Sequence, residues 1–270
     1  EIRAQISQIE QFNTAANTFR IKYGALPGDI DNTNAVAFGF SSSSRRYNDG
    51  ILGMNFLPTW RNLHPQLQAI GELNLFWVDL GNSGLINGKF TFNNGNTPPW
   101  NNNGNNFDLG NSSPVSGDDI KFFLPPAKLG GDKYVFVWSG GPNVSGFNGT
   151  GSDGKNYFGL GAVTDLRGQN IGGGFDGRLA IISGGKPVNT IPVIDAYSMD
   201  SKIDDGLPNS GTVFAYFASH GGSATPFSTT ALSPSPTTCF DNGGVAGTQK
   251  YSLSQNGGNG TNCAMNFRFK

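Results

Sequence analysis

Asp200, Asp204 and Asp205 are the side chains whose type and spacing come nearest to a site. With the carbonyls around Gly206 they cluster oxygen ligands, and a hard cation such as calcium takes six to eight of these. The same residues also read as local structure. Asp200 solvates a helix end, and Asp204-Asp205-Gly206 stops the helix. This second reading is favoured, because no full EF-hand loop with its terminal glutamate is present. Residues Gly172 to Gly177 (GGGFDG) match G-x-G-x-x-G. Dinucleotide binding needs a strand before and a helix after that motif. Here Asn/Gly sequence precedes it and a strand pattern comes after, so a loop is expected. His220-Gly221-Gly222 has the look of an oxyanion turn, but no G-x-S-x-G elbow supplies a nucleophile. Asp118, Asp119 and Asp165 offer carboxylates for a glycosidase pair. Such a pair needs a set separation and one carboxyl of raised pKa, and spacing alone establishes neither. Trp60, Trp100 and Trp138 sit among amide-rich stretches that suit sugar stacking. Trp138 fits a core better. Trp100, in PPWNNNG, is the aromatic expected to meet a surface or glycan ligand. Asn111, Asn143, Asn148 and Asn259 lie in N-x-S/T sequons.

Cys239 and Cys263 are the two cysteines, and His64 and His220 the two histidines. Two thiols and two imidazoles this scattered do not make an ordinary four-ligand zinc site. A disulfide is the favoured reading, with two separate buried thiols as the alternative. It would close a loop of about 25 residues, stabilise by ~3.5 kcal/mol in the chain-entropy model, and imply an oxidising compartment. Composition agrees. Apolar residues are 36% and charged residues 14%, and the remainder is rich in Gly, Asn, Ser and Thr, as in secreted and surface-exposed proteins. Forty Gly and fifteen Pro predict many turns, while twenty-one Phe are enough to fill a core. Net charge is −1, with no basic cluster larger than Arg45-Arg46, so no nucleic-acid face is expected. No apolar run reaches membrane-span length, and no signal peptide is seen.

The elements that must position these groups begin with a helix over the first twenty-three residues. Ile2, Ile6, Ile9, Phe12, Ala16, Phe19 and Tyr23 recur at steps of three and four, one stripe on a period of 3.6. Arg3, Gln8, Glu10, Asn13, Asn17 and Arg20 mostly fall outside that stripe. Gly24 caps the helix, and Pro27 lies just beyond. At 1.5 Å per residue the rod is roughly 34 Å long. It opens without a capping residue, like part of a longer helix. Asp29 can cap the next element, and residues 41–53 read as a polar loop. A second helix is expected from Trp60 to Leu80, on Leu63, Leu67, Ile70, Leu73, Trp77 and Leu80. Pro65 lies in its first turn, Gly71 weakens its middle and Gly81 ends it.

Residues 93–117 are a long polar excursion. Strands are expected at Ile120–Leu124, Tyr134–Trp138, Tyr157–Val163 and Arg178–Ile182, with Gly/Asn loops at 139–154 and 168–177. A third helix covers Pro192–Asp204, with Ile194, Tyr197 and Ile203 pointing inward. Thr212–Ser219 reads as a strand, and 221–238 as Ser/Thr/Pro-rich loop. The end, Cys263–Lys270, alternates Met265, Phe267 and Phe269 with Asn266, Arg268 and Lys270, a half-buried strand.

Three blocks now stand in order: RAQISQIEQFNTAANTFRIKYGALPGDI, FWVDLGNSGLI and SMDSKIDDGLPNSGTVFAYF. Together they resemble the globular part of bacterial type IV pilin-like and pseudopilin proteins, whose precursors carry a prepilin-type cleavage and methylation segment. The third block, joining helix, Asp-Gly stop and strand, is the most specific. The resemblance implies an α+β fold, with a long N-terminal helix packed on an antiparallel sheet and a head with long Gly/Asn/Ser-rich loops. Residues 1–24 would be the upper, amphipathic half of the spine. Residues 25–270 would be a single-domain head ending in a disulfide loop, 239–263. The hydrophobic half-helix and its glutamate have no counterpart here, so a membrane would be met only through a missing N-terminal segment. Some pseudopilins bind calcium near the C-terminal sheet, which bears on Asp200, Asp204 and Asp205.

The function so implied is a non-enzymatic, extracellular or periplasmic cell-surface filament subunit, homo-oligomeric and without a cofactor unless calcium is one. The N-terminal helices would form a central bundle. Ile2, Ile6 and Ile9 would be buried between protomers or continue the bundle seam, and Phe12, Phe19 and Tyr23 would be buried against the head's own sheet. Loops facing outward would set adhesion or partner choice. The alternatives are a non-polymerising adhesin domain that binds a surface or carbohydrate, and a secreted hydrolase using Asp carboxylates.

Overall fold

A computed structural model describes residues 1–53, 71–91, 101–103, 106–108, 115–140, 153–163, 165–171, 174–180, 182–183, 186–187, 190–215, 238–243, 245, 248–254 and 256–270. The expected helical rod is α1, Ile2–Tyr23. It ends where Gly24 takes φ 80° and its N–H bonds the carbonyl of Arg20, a left-handed cap that glycine adopts without a Cβ clash. Ile9, Phe12, Ala16 and Phe19 are buried, while Ile2, Ile6 and Tyr23 are partly buried against the same core.

Gln8 and Asn13, which the stripe left outside, are buried as well, and so is Gln5. Gln8 Nε2 donates to the carbonyl of Pro126 at 2.8 Å, and the N–H groups of Lys128 and Leu129 donate to Gln8 Oε1 and Gln5 Oε1, each at 3.2 Å. On the other side the N–H of Lys270 donates to Asn13 Oδ1 at 3.1 Å. A buried amide needs such partners. The helix is therefore held by its apolar stripe and by an amide rail along the neighbouring loop and chain end.

A short helix comes next, α2 (Asn32–Ala37). Its cap is Asp31 and not Asp29, with the N–H of Asn34 donating to Asp31 Oδ1 at 3.0 Å. Then comes α3 (Gly71–Asn82), buried from Gly71 through Leu80. The expected second helix began at Trp60, but the described one starts at Gly71 and runs one residue past Gly81. Gly71 has φ 59°, a conformation foreign to a helix interior. Trp60, Leu63, His64, Pro65, Leu67 and Ile70 lie outside the described residues.

The strands, in chain order, are β1 (Asn101–Asn103), β2 (Asn106–Asp108), β3 (Val115–Ser116), β4 (Lys133–Ser139), β5 (Asn156–Ala162), β6 (Asp165–Ile171), β7 (Gly174–Ala180), β8 (Ile182–Ser183) and β9 (Lys186–Pro187), then β10 (Val213–Phe214), β11 (Phe240–Asp241), β12 (Lys250–Tyr251) and β13 (Met265–Arg268). Between β9 and β10 lies α4 (Val193–Ile203). The central antiparallel sheet has the order β10-β13-β5-β4. Leu160 of β5 stands between Met265 of β13 and Val135 of β4. Over it the rings interlock: Phe12 meets Trp77 at 5.0 Å and Phe158 at 6.1 Å, and Phe158 stacks on Phe269 at 4.2 Å. Edge and offset ring contacts of this kind add to simple burial. Gly159 lies beneath the Phe136 ring, which a Cβ would meet at 2.0 Å. The chain is thus α+β, an N-terminal helix with an antiparallel sheet.

Several expectations change. Ile120–Leu124 is not a strand. Residues Gly117–Phe122 form a 3-10 helix, and the N–H groups of Phe123 and Leu124 both bond the carbonyl of Ile120. Ile120, Phe123 and Leu124 are the buried ones, a spacing of three to four that fits a turn and not a strand. The expected loop at 168–177 carries most of a hairpin, β6 on β7, in register from Asp165 opposite Ala180 to Ile171 opposite Gly174. Pairing across the hairpin satisfies a backbone whose glycines carry no strand signal. In α4 the inward face is Val193, Ala196, Met199 and Asp200. Ile203 is partly buried, whereas Ile194 and Tyr197 are 37% and 38% exposed. Within the expected strand Thr212–Ser219, β10 covers Val213–Phe214, and Tyr216 onward lies outside the described residues. In β13, Met265 and Phe267 are buried as the alternation required, but so is Asn266, which accepts the Trp138 Nε1–H at 3.0 Å.

Candidate functional site

The three aspartates gather where α4 ends and turns toward β10. Their carboxylate oxygens all lie within 4.8 Å of one another. Each carboxylate is already engaged. Asp200 is fully buried; its Oδ1 accepts the N–H of Gly206 at 3.1 Å and its Oδ2 the phenol of Tyr251 at 2.6 Å. Asp204 Oδ2 accepts the N–H groups of Thr212 and Val213. Asp205 Oδ1 accepts the N–H of Leu207 at 2.8 Å, and its Oδ2 accepts Ser210 Oγ at 2.6 Å. Gly211, at φ 72°, lets the chain pass against Asp204 Oδ2, which a Cβ would meet at 1.8 Å. These contacts clasp helix to strand. A cation would have to share most of its oxygens with internal donors, so the set fits the clasp, and no step is assigned to calcium.

The clasp joins the disulfide loop. Cys239 and Cys263 are bonded, with Cα atoms 5.0 Å apart, and Cys263 also pairs with Ile191 just ahead of α4. The β11–β12 hairpin lies inside that loop, and Tyr251 on it reaches Asp200.

A second polar centre was invisible in the sequence. Asp29, Glu72 and Asp79 are all buried, between residues 28–53 and α3. Arg46 Nη1 and Nη2 clamp Asp79 Oδ2 and Oδ1 at 2.7 and 2.8 Å, and the N–H of Gly28 donates to the same Oδ2 at 2.8 Å. Glu72 receives the N–H groups of Tyr47 and Gly53 at 2.9 and 2.8 Å, and Asp29 those of Asp49 and Gly50 at 3.0 and 2.8 Å. A stretch that reads as a polar loop is thus strung on buried carboxylates. The one hint was the Arg45-Arg46 pair, and Arg46 is buried, not a surface basic patch.

Burial governs the protonation of these groups. It raises Asp29, and it raises Glu72 further, with the charge of Asp29 adding to the effect. Burial lifts Asp200 to about 6, against the hydrogen bonds from Tyr251 and Gly206, while the Asp204 and Asp205 charges push the same way. A carboxyl raised in the folded state binds protons that the unfolded chain releases. Its contribution is fullest below the unfolded value and is lost as pH rises through the folded one. Urea unfolding from pH 4.5 to 8 should therefore show stability falling as pH rises, with Asp200→Asn flattening the slope around pH 6. An unchanged slope in that variant would remove Asp200 from the account.

The outer face of α1 borders a groove of about 760 Å³, lined by Ser7, Gln11 and Thr14 on one wall and Leu85, Phe90 and Lys121 on the other. Nearby, Glu10 pairs with Lys270 at 2.5 Å, an exposed pair of small worth. Of the spine residues, Ile9 is 1% exposed inside the chain's own core. The expectation of Ile9 between protomers is corrected: Ile2 and Ile6 alone of that trio keep surface to offer. Asp118 and Asp119 are exposed on the 3-10 turn. Trp100, His64, His220, Asn111, Asn143 and Asn148 lie outside the described residues, as does the side chain of Asp165. Asn259 is exposed. Among the described residues, no helix is long and apolar enough to cross a membrane. No protein-family profile, no curated protein and no solved structure matches this chain.

Proposed function

We propose that this protein is a structural, non-enzymatic subunit of an extracellular or periplasmic type IV pilus-like filament, assembling through α1 with its loops displayed outward. The observation that supports this reading is the placing of α1. A 22-residue helix buries one face against α3 and α4, with Phe12 reaching Phe158 of the antiparallel sheet, and keeps Ile2 and Ile6 only partly covered. The disulfide loop closing onto β13 at the other end of the chain supports it further. In the proposed assembly α1 continues a central bundle, and Ile2 and Ile6 meet neighbouring spines. Apolar surface removed from water gives about 25 cal/mol per Å², so even partial coverage repeated along a filament is a strong drive. The reading calls for an apolar segment ahead of Glu1 in the native protein.

The groove beside α1 favours a second reading, a non-polymerising surface- or carbohydrate-binding domain, because a polar wall facing Phe90 and Leu85 suits an amphipathic ligand. Negative-stain microscopy of native surface material, with an antibody to this chain, separates the two. The filament reading expects thin ordered fibres decorated along their length. Antibody confined to the cell surface, with no fibres, would favour the adhesin.

A further inference from the structure

We infer that the groove beside α1 binds a uronic-acid oligosaccharide, with sugar rings against Phe90 and carboxylates at Lys121 and Lys128. This deepens the second reading above, the carbohydrate-binding domain, and rests on it. The groove encloses about 760 Å³, within the range of small-ligand sites. Its α1 wall carries Ser7, Gln11, Thr14 and Thr18, all exposed. Steps of four, three and four put them in one row on the helix. At 1.5 Å per residue the row is roughly 16 Å long. Every member is a neutral hydroxyl or amide, able to donate and to accept. Thr14 Oγ1 donates to the carbonyl of Glu10 at 2.9 Å and Thr18 Oγ1 to that of Thr14 at 2.8 Å, which leaves both as acceptors toward the groove. Ser7 and Gln11 supply the donors. Such a row suits a chain of sugar hydroxyls, and an acyl chain would leave it unpaired.

The facing wall is apolar and fixed. Phe90 packs on Trp77 at 6.1 Å. Its ring also rests on two glycines: a Cβ on Gly88 would meet it at 3.0 Å and one on Gly81 at 3.2 Å. Gly88 has φ 131°, a conformation that a side chain disfavours. The next residue, Thr91, is tied on both sides. Its N–H donates to the carbonyl of Phe122 at 2.7 Å, and its carbonyl accepts Asn74 Nδ2 at 3.2 Å. A ring held in this way loses little freedom on binding. A pyranose has apolar C–H faces and a polar rim, so it fits between this ring and the hydroxyl row.

Charge decides the class of sugar. The charged residues of the lining are Glu10, Lys121 and Lys128. Glu10 is matched by Lys270. Lys121 rises from the 3-10 turn, its Nζ 5.6 Å from the centre of the Phe122 ring. Lys128 is placed by its N–H on Gln8 Oε1. Both lysines are exposed, and among the described residues neither meets a carboxylate. Two uncompensated cations call for an anionic ligand. Carboxylates carried on the sugar rings supply that charge and keep the hydroxyls. An acidic peptide brings the charge but leaves the hydroxyl row to water.

Titration calorimetry on the purified chain tests this with tetragalacturonate, with maltotetraose as the neutral sugar, and with tetraglutamate and tripolyphosphate as charge without sugar. Tetragalacturonate should bind most tightly, and salt should weaken it. Lys121→Gln and Lys128→Gln should each weaken it roughly threefold, and together roughly tenfold. Gln11→Glu sets a like charge in the row without changing its shape, and should cost a similar factor to one lysine. These three positions are exposed, so the fold survives the changes. Phe90→Leu keeps apolar bulk but removes the ring, and should cost roughly fivefold. Tetraglutamate or tripolyphosphate binding as tightly as tetragalacturonate would overturn the proposal, and so would binding that neither lysine variant weakens. Maltotetraose binding as tightly would overturn the acidic sugar and leave the carbohydrate-binding reading standing. No binding of either sugar would overturn both.

Discussion

Arg46→Ala is expected to destabilise the fold by about 3–5 kcal/mol, the usual cost of stranding one partner of a buried ion pair. Both side chains of the Arg46–Asp79 pair are fully buried, so solvent cannot take over when the guanidinium is lost. Among the described residues, Asp79 would keep only the N–H of Gly28, at 2.8 Å. Arg46 Nε also donates to the carbonyl of Ser41 at 3.1 Å, and that acceptor would be stranded too. A domain stable by roughly 5–15 kcal/mol would lose much of its margin, and its melting point would drop on the order of 10 °C. Asp79→Leu should cost a comparable amount. The double variant Arg46→Met/Asp79→Leu should cost clearly less than the sum, since no bare charge remains. Additive losses by chemical denaturation would show that the pair is not a coupled unit.

Replacing Cys239 and Cys263 by serine should cost about 3.5 kcal/mol, the chain-entropy value for a loop of about 25 residues. The loop's own hydrogen bonds add a local consequence. Around the bond, the N–H of Ser252 donates to the carbonyl of Cys239 at 2.9 Å and Asn262 Nδ2 to the carbonyl of Thr238 at 3.2 Å. Loosening the loop therefore frees the hairpin that carries Tyr251, and with it the hydrogen bond to Asp200. The serine variant should unfold at lower denaturant, and amide exchange should rise first in residues 200–213. Equal midpoints with and without the disulfide would show that the hairpin is held by packing alone.

The helix α1 was legible from the start because its signal is local: a stripe of period 3.6 and a glycine stop. The strands β4 and β13 were legible for the same reason, β4 as a run of β-branched and aromatic residues and β13 from its two-residue alternation. The hairpin β6–β7 was not, since glycines report freedom and only the partner strand uses it. Ile194 and Tyr197 show the limit of periodicity on α4. Five of its positions are apolar, namely Val193, Ile194, Ala196, Met199 and Ile203, with Tyr197 amphipathic. Such a helix offers more than one candidate inner face, and packing against α1 and β10 left Val193, Ala196 and Met199 inside. At the clasp, the sequence showed the acidic cluster but not its N–H donors, which arrive from Gly206, Leu207, Thr212 and Val213.

By itself the sequence determined the rod, its cap and the pairing implied by two lone cysteines. Only the tertiary structure decided that Ile9 belongs to the chain's own core, that Gln5, Gln8 and Asn13 seat the rod by hydrogen bonds, and that Asp29, Glu72 and Asp79 are interior. The physical reason is range. Helix periodicity and glycine caps act within a few residues of chain. A buried polar group exists only where distant segments supply its partners, as Pro126 does for Gln8 and Arg46 for Asp79.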